Sequence, residues 1–215
     1  MNPKYVLIVS GGEIIPQQLY DITKNRDCYV IGVDGANNIL MELGIEPNLI
    51  IGDFDSCSET VKHKYLSSSK TKLLNPVKDL TDTHAAVLEA IKLAPEFITI
   101  IGATGKRLDH FMGNLALLKL CLDYGIKAEI LDKHNRITMI DKQLKISKHK
   151  QYGKYVSLIP FSDEVTGITL TGFAYGLSDA TMIKADTIGI SNEIREEEGF
   201  ITIKTGYLMV METKD

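Results

Sequence analysis

Short apolar runs alternate with helix-like segments along the first part of the chain, and no other feature constrains its fold as strongly. The apolar runs predict strands at residues 5–10, 28–33, 48–52, 72–74, 97–101 and 127–131. Between them, Pro16, Ser58 and Thr81 are residue types that commonly start helices. Alternating strands and helices are typical of an α/β domain with a mostly parallel sheet. We therefore predict a Rossmann-like α/β unit at residues 1–131.

The clearest helix is predicted at residues 108–124. Apolar side chains recur there at the spacing of one helix face, namely at Phe111, Leu115, Leu118 and Leu122. Gly125 follows as a typical helix stop. The last predicted strand of the unit therefore comes after a defined turn.

The pattern changes after about residue 131, where short β-branched runs are separated by Gly or Asp turns. These runs predict strands at residues 137–140, 143–147, 155–159, 164–170 and 200–204. The segment GFITIKTGYLMVMET is predicted to fold back on itself as a hairpin at Thr205 and Gly206. We therefore expect a second, all-β unit at residues 132–215.

Composition excludes several classes of protein. The chain has 215 residues, of which 44% are hydrophobic and 24% are charged, as in ordinary globular proteins. A net charge of −4 gives no support to a nucleic-acid partner. The three cysteines are widely spaced and form neither the pattern of a disulfide framework nor that of a zinc site. This spacing fits a protein of the reducing cytoplasm. The first apolar run is too short for a signal peptide or a membrane span, so we expect a cytoplasmic protein with no membrane partner.

Asp53 and Asp55 lie in the sequence GDFDS, directly after a predicted strand. On an extended backbone, residues i and i+2 point to the same side, so both carboxylates would face one space while Phe54 turns into the core. Two adjacent carboxylates suit Mg²⁺, which completes its shell with water and phosphate oxygens. The alternative is an Asx turn, in which Ser56 or Ser58 caps the next helix.

A second acidic group lies in the sequence DLTD, which includes Asp79, Thr81 and Asp82. Thr81 is a plausible helix cap, and carboxylates in a first helical turn favour the helix dipole, so a local explanation exists. However, the group also follows a predicted strand. It would therefore add acid to the carboxyl edge of the sheet, where α/β proteins bind ligands.

The third group is GATGKRLDH, which connects the predicted strand at 97–101 to the long helix. A strand, a glycine turn, a helix N-terminus and a basic side chain together suit a phosphate group. Arg107 can bind phosphate oxygens in a bidentate manner. The sequence has neither the spacing of a P-loop nor the GxGxxG of a dinucleotide fold.

Three further residues belong to this pattern. His110 and Asn114 are four residues apart, and so share a helix face that can look toward the cleft. A bond to a neighbouring aspartate also explains His110, and we assign no proton-transfer role to it. Asp34 follows one strand and precedes a helix, where capping alone would explain it. Taken together, such turns at successive strand ends indicate a magnesium–nucleotide site.

These motifs resemble those of the thiamine pyrophosphokinase family. The resemblance runs through VDGANNILMELGIEPNLIIGDFDS, DLTDTHAAVLEA and GATGKRLDHFMGNLALL, and ends with ISNE at residues 190–193. It implies an α/β catalytic domain followed by a β-sandwich that binds thiamine. It also implies a homodimer whose active sites are shared between subunits, and a reaction in which ATP and thiamine give thiamine diphosphate and AMP.

The resemblance also implies roles for particular residues. The Mg²⁺ ligands would be Asp53, Asp55 and Asp82, which would act in catalysis together with Arg107. The nucleotide would be bound by Asp34, Asn38, Asp79, Thr81, Arg107, Asp109, His110 and Asn114. Ser191 and Asn192 would bind thiamine.

Two positions depart from the family pattern. This chain has Ala36 where the family usually has glycine, and we expect its methyl group to tighten the pocket. It also has Lys106 in the glycine turn, where an added positive charge would help to bind phosphates.

Two other functions stay open at this point. One is a different Mg²⁺-dependent phosphotransferase or phosphohydrolase that uses the same acidic edge. The other is a non-catalytic nucleotide or thiamine sensor, although a sensor has no need of a full set of charge-neutralising groups.

Overall fold

The computed structural model describes residues 2–25, 27–75, 79–105 and 107–215. The chain divides into two compact units, Met1–Asp132 and Lys133–Asp215. The first unit contains strands and helices in alternation, and the second consists almost entirely of strands. The predicted fold class, an α/β unit followed by an all-β unit, is confirmed.

The first unit is built on a parallel sheet. Its strands are β1 (Tyr5–Val9), β2 (Tyr29–Val33), β3 (Leu49–Gly52), β4 (Thr71–Leu73), β5 (Phe97–Ile101) and β6 (Lys127–Leu131). They lie in the order β6-β5-β1-β2-β3-β4, and each described neighbour pair is parallel. The central strands are buried and rich in Val and Ile, as expected for a sheet covered on both faces.

The helices of the first unit begin where the sequence predicts them. They are α1 (Pro16–Asn25), α2 (Ala36–Glu42), α3 (Glu59–Tyr65), α4 (Asp82–Lys92) and α5 (Leu108–Asp123). The Ser58 hydroxyl accepts a hydrogen bond from the Val61 N–H at 3.3 Å, and the Thr81 hydroxyl accepts one from the His84 N–H at 3.2 Å. Both residues are therefore side-chain N-caps of their helices.

The strand order reverses between β1 and β5, and the loops that follow these two strands lie against each other. The Gly12 N–H donates to the Gly102 carbonyl at 2.8 Å. Gly102 has a φ of 68°, and a Cβ atom added there would lie 2.2 Å from the Ser10 carbonyl oxygen. Only glycine fits such a contact. Open α/β sheets bind their ligands at this reversal point, beyond the carboxyl ends of the strands.

The second unit contains two antiparallel sheets. Its strands are β7 (Asn135–Ile140), β8 (Gln143–Ser147), β9 (Tyr155–Pro160), β10 (Glu164–Thr171), β11 (Leu177–Ile183), β12 (Asn192–Glu193), β13 (Glu198–Thr202) and β14 (Leu208–Thr213). The strand orders are β12-β9-β14-β7 and β11-β10-β13-β8. One apolar cluster includes Val156 and Val210 from the first sheet and Ile168 and Ile201 from the second. The unit is therefore a β-sandwich.

The predicted hairpin at Thr205 and Gly206 is wrong. β13 pairs with β10 and β8, whereas β14 pairs with β7 and β9, so the two strands lie in different sheets. Thr205 instead forms a bridge to Thr166, and Gly206 has a φ of 90°. Alternating apolar residues satisfy a strand in either sheet equally well, so the pattern cannot show which strand is its partner.

Over the described ranges, with their gaps at 26, 76–78 and 106, no helix has both the length and the apolar character needed to cross a bilayer.

Candidate active site

A cleft of about 1120 Å³ lies at the carboxyl edge of the parallel sheet. Its walls come from the loops after β1, β2, β3 and β5 and from the first turns of α4 and α5. The predicted site residues that line it are Asp34, Asp53, Thr81, Asp82, Arg107, His110 and Asn114. Residues from four separate sequence motifs therefore meet in one cavity.

Three carboxylates form a cluster at this edge. Asp34, Asp53 and Asp55 each offer an oxygen atom, and these atoms lie within 4.8 Å of one another. Among the described residues, this is the only group of three or more potential metal ligands that lie so close together. Asp82 lines the same cleft from the first turn of α4. The structure thus brings Asp53 and Asp55 together with Asp34.

A turn, rather than strand alternation, orients Asp53 and Asp55. β3 ends at Gly52, and the Asp53 carboxylate accepts a hydrogen bond from the Asp55 N–H at 3.1 Å. Phe54 has a φ of 66° and is only 2% exposed, because its ring packs in an apolar cluster with Val61. The Asx turn that was the alternative is therefore present. It is compatible with metal binding, because the same turn directs both carboxylates away from the core.

Asp34 occupies a half-buried position at the end of β2. Its φ is 44°, in the left-handed region that glycine favours and that Asp adopts more readily than most other residues. The Ser56 hydroxyl donates to its Oδ2 atom. Burial raises the pKa of the Asp34 carboxyl group, the Ser56 hydrogen bond opposes this, and the nearby charges of Asp55 and Asp53 raise the pKa further. The N-cap of α2 is Gly35, without a side-chain cap, so the alternative of a capping Asp34 is wrong.

Asn38 connects α2 to the loop that follows β3. Its Nδ2 atom donates to the Ser56 carbonyl at 3.1 Å, and its Oδ1 atom accepts from the Ser58 N–H at 2.8 Å. These bonds hold the loop that carries the carboxylates. Ala36, at the start of the same helix, is buried in the apolar core with Leu40, so its methyl group does not tighten the cleft.

The basic side of the cleft is formed at the start of α5. Arg107 donates to Asp109 through Nε at 3.1 Å and through a terminal guanidinium nitrogen at 2.5 Å. These hydrogen bonds lower the pKa of the Asp109 carboxyl group to about 2, and a bond from the His110 N–H adds to the effect. The Arg107 side chain is 69% exposed. His110 is exposed as well, and Lys106 lies outside the described residues.

Asn114 holds the glycine loop that follows β5. It is 8% exposed, and its Nδ2 atom donates to the Ala103 carbonyl at 2.8 Å. Thr81 caps α4 and lines the cleft, while Asp79 is exposed just before that helix. The side chains of Asn114 and Thr81 therefore hold backbone segments that line the cleft.

The sequence predictions missed one wall of the cleft. Ser10, Gly11, Gly12 and Glu13 follow β1 and line the cavity. The Ser10 hydroxyl is hydrogen-bonded to that of Thr83 in α4 at 3.0 Å. The glycine pair directly after the first strand was the available signal, because a Cβ atom at Gly12 would lie 2.2 Å from the Thr104 carbonyl oxygen and only glycine fits there.

Ser191 and Asn192 lie in the second unit. Ser191 is exposed and has a φ of 60°, and its N–H donates to Ser157 Oγ at 3.0 Å. Asn192 is 7% exposed. Its Nδ2 atom donates to the Tyr175 carbonyl at 2.7 Å, and its Oδ1 atom accepts from the Tyr175 N–H at 3.1 Å. Asn192 therefore holds the loop around Tyr175.

Asn192→Ala is expected to lower the free energy of unfolding of the second unit by about 2 kcal/mol, because the buried Asn192 amide makes both hydrogen bonds to the backbone N–H and carbonyl of Tyr175. Chemical denaturation followed by circular dichroism measures this change. Ser191→Ala is the control, and its unfolding free energy should stay within about 0.5 kcal/mol of the original. Equal stability of Asn192→Ala would contradict the scaffold role.

The fold and the cleft define a class of protein. A parallel sheet with carboxylates at its carboxyl edge and a basic glycine loop at its reversal point is an α/β phosphate-binding domain, and here a β-sandwich follows it. The family model for the thiamin pyrophosphokinase catalytic domain matches residues 20–130, and that for the thiamin pyrophosphokinase vitamin B1 binding domain matches residues 141–209. The chain belongs to the thiamine pyrophosphokinase family.

Individual relatives agree over the full length. Thiamine pyrophosphokinase from Bacillus subtilis (strain 168) is 34% identical over 217 residues, which cover 99% of this chain and 100% of the relative. The crystal structure of thiamine pyrophosphokinase from Bacillus subtilis matches with a TM-score of 0.88 at 33% identity, over 99% of this chain and 100% of that chain. The crystal structure of the enzyme from Geobacillus thermodenitrificans matches with a TM-score of 0.85 at 32% identity, over 98% of each chain.

Proposed function

We propose that this chain transfers the pyrophosphoryl group of ATP to the hydroxyl group of thiamine, which gives thiamine diphosphate and AMP. One observation carries the proposal. The chain matches the family over its full length. It also has the carboxylates of Asp34, Asp53 and Asp55 and the guanidinium of Arg107 at one edge of its sheet. Both kinds of group are needed to neutralise and orient a polyphosphate.

The carboxylate cluster fits a magnesium ion. Its donors are hard oxygen atoms, and three of them approach within 4.8 Å of one another. Asp53 and Asp55 are the proposed ligands, Asp34 joins them, and Asp82 stays a proposed ligand from the same cleft. A bound Mg²⁺ would neutralise negative charge on the phosphate oxygens of ATP.

The residues of the chain position the reacting groups. Arg107 binds phosphate oxygens with its planar guanidinium, and the glycine loop before it lets backbone approach the phosphates. A bond forms between the thiamine oxygen and the β-phosphorus, while the bond from the β-phosphorus to the oxygen shared with the α-phosphorus breaks. AMP leaves, and the hydroxyl proton of thiamine is released to solvent. Positioning and charge neutralisation supply most of the rate in reactions of this type. No general base is assigned.

The remaining roles are proposed on the basis of the family. Residues 1–131 form the catalytic domain, with the nucleotide contacts named above. Residues 132–215 form the thiamine-binding and dimerisation domain, in which Ser191 and Asn192 contribute to the thiamine site. The protein is a cytoplasmic homodimer whose active sites are shared between subunits.

Product analysis tests the proposed reaction. Purified protein with ATP, Mg²⁺ and thiamine is expected to form AMP and thiamine diphosphate in equal amounts, and chromatography separates and quantifies both. Without thiamine, no AMP should form. ADP or free phosphate as the product would instead indicate a different phosphotransferase or phosphohydrolase. Binding of ATP and thiamine without consumption of either would indicate a sensor.

A further inference from the structure

Ser56 touches the carboxylate cluster from outside it. Its hydroxyl group donates to Oδ2 of Asp34, so it joins the loop after β3 to the end of β2. Ser56 is exposed and lines the cleft, and so it does not contribute to the hydrophobic core. Its hydrogen bond therefore affects the geometry of the cleft and contributes little to the stability of the core.

Two neighbours determine where the Ser56 hydroxyl lies. Asn38 donates to the Ser56 carbonyl at 3.1 Å and accepts from the Ser58 N–H at 2.8 Å, which holds the backbone on both sides of Cys57. A Cβ atom added to Gly35 would lie 2.9 Å from Ser56 Oγ, so the hydroxyl is packed closely against the backbone at Gly35. The donor is thus held in place before any ligand arrives.

The consequence for Asp34 is a restricted carboxylate. A carboxylate with one oxygen bound by a fixed hydroxyl loses rotational freedom about its last side-chain torsion. Asp34 also has a left-handed backbone, with a φ of 44°, which sets the direction in which its side chain leaves the chain. Ser56 is the side-chain hydroxyl that holds its carboxylate on the cleft side.

We propose that Ser56 is a positioning residue, which raises the affinity of the cleft for a divalent cation by holding Asp34 beside Asp53 and Asp55. The inference rests on the proposed function for the identity of the cation site. Hydrogen-bond partners of metal ligands typically change metal affinity by about 10–100-fold when they are removed. Ser56 would act in this way without touching the cation.

Binding of Mn²⁺ to the full chain in the absence of substrates tests this role. Electron paramagnetic resonance of free Mn²⁺ gives the dissociation constant directly. Ser56→Ala is expected to raise this constant about tenfold or more. Ser56→Thr keeps the hydroxyl group, and should restore the constant to within about threefold of the original. At saturating Mn²⁺, the Ser56→Ala variant should form AMP at nearly the rate of the unaltered protein.

Ser58→Ala is the matched control. It removes a hydroxyl two residues away that caps α3, where it accepts from the Val61 N–H and is not hydrogen-bonded to Asp34 in the described part of the chain. This variant should lose about 3 °C of melting temperature but keep the original Mn²⁺ affinity. An unchanged affinity in Ser56→Ala, an equal loss in both alanine variants, or no Mn²⁺ binding by the unaltered protein would each overturn the inference. Tight Mn²⁺ binding without thiamine-dependent AMP would instead overturn the proposed function alone.

Discussion

Asp55→Ala is expected to reduce kcat/KM for AMP formation by about 10³-fold or more, while the protein stays folded. Asp55 is exposed, so its removal leaves no cavity in the core. It supplies one of the three oxygens of the carboxylate cluster, and its loss leaves the phosphates of ATP poorly neutralised. A coupled AMP assay at saturating Mg²⁺, with circular dichroism of the same sample, measures both effects.

Two variants make this result specific. Asp55→Asn keeps the shape of the side chain but removes its charge and replaces one acceptor oxygen with an NH2 group, so it should lose nearly as much activity as the alanine variant. Glu59→Gln also removes one exposed negative charge, from the first turn of α3, and should keep full activity. If Asp55→Ala worked at nearly the original rate in saturating Mg²⁺, the metal assignment would be wrong.

Arg107→Ala is expected to lower kcat by a factor on the order of 10³, because arginine groups that neutralise transferring phosphates contribute this much or more. In the absence of a ligand, Arg107 is paired with Asp109 and largely exposed, so the melting temperature should stay nearly unchanged. Steady-state kinetics with varied ATP separates an effect on kcat from an effect on KM.

The controls for Arg107 address its shape and its charge. Arg107→Lys keeps the charge without the planar fork, so an intermediate loss of activity is expected. Lys4→Ala removes an exposed cation that pairs with Glu96 at 3.0 Å, at the opposite edge of the sheet from the cleft, and should leave kcat unchanged. Equal kinetics for Arg107→Ala and Lys4→Ala would show that Arg107 does not act on the phosphates.

Local signals predicted most of the first unit. Ser58 and Thr81 cap their helices, and Gly125, with a φ of 73°, ends α5 as expected. Each of these features depends on a few consecutive residues, so the sequence displays it directly. The convergence of the acidic motifs also followed from sequence, because the carboxyl ends of parallel strands meet at one edge.

Contacts between distant residues were not predictable in the same way. The grouping of Asp34 with Asp53 and Asp55 depends on which strands are neighbours, and on the left-handed backbone at Asp34 and Phe54. Phe rarely adopts such a conformation and Asp adopts it only in particular turns, so the surrounding structure decides it. The same limit explains the wrong hairpin, since the apolar run in β14 does not identify its partners.

The positions of β13 and β14 have a consequence for synthesis of the protein. β13 lies between β10 and β8, and β14 lies between β7 and β9, so each sheet receives an interior strand from the last part of the unit to be translated. Until then β7 and β9 lack the strand that joins them, and open strand edges invite pairing with other chains. Ribosomes add about 5–20 residues per second, so this exposure lasts for seconds. The sandwich therefore cannot be completed before β14 is made, and its period of greatest vulnerability to aggregation comes before that point in the translation of the unit.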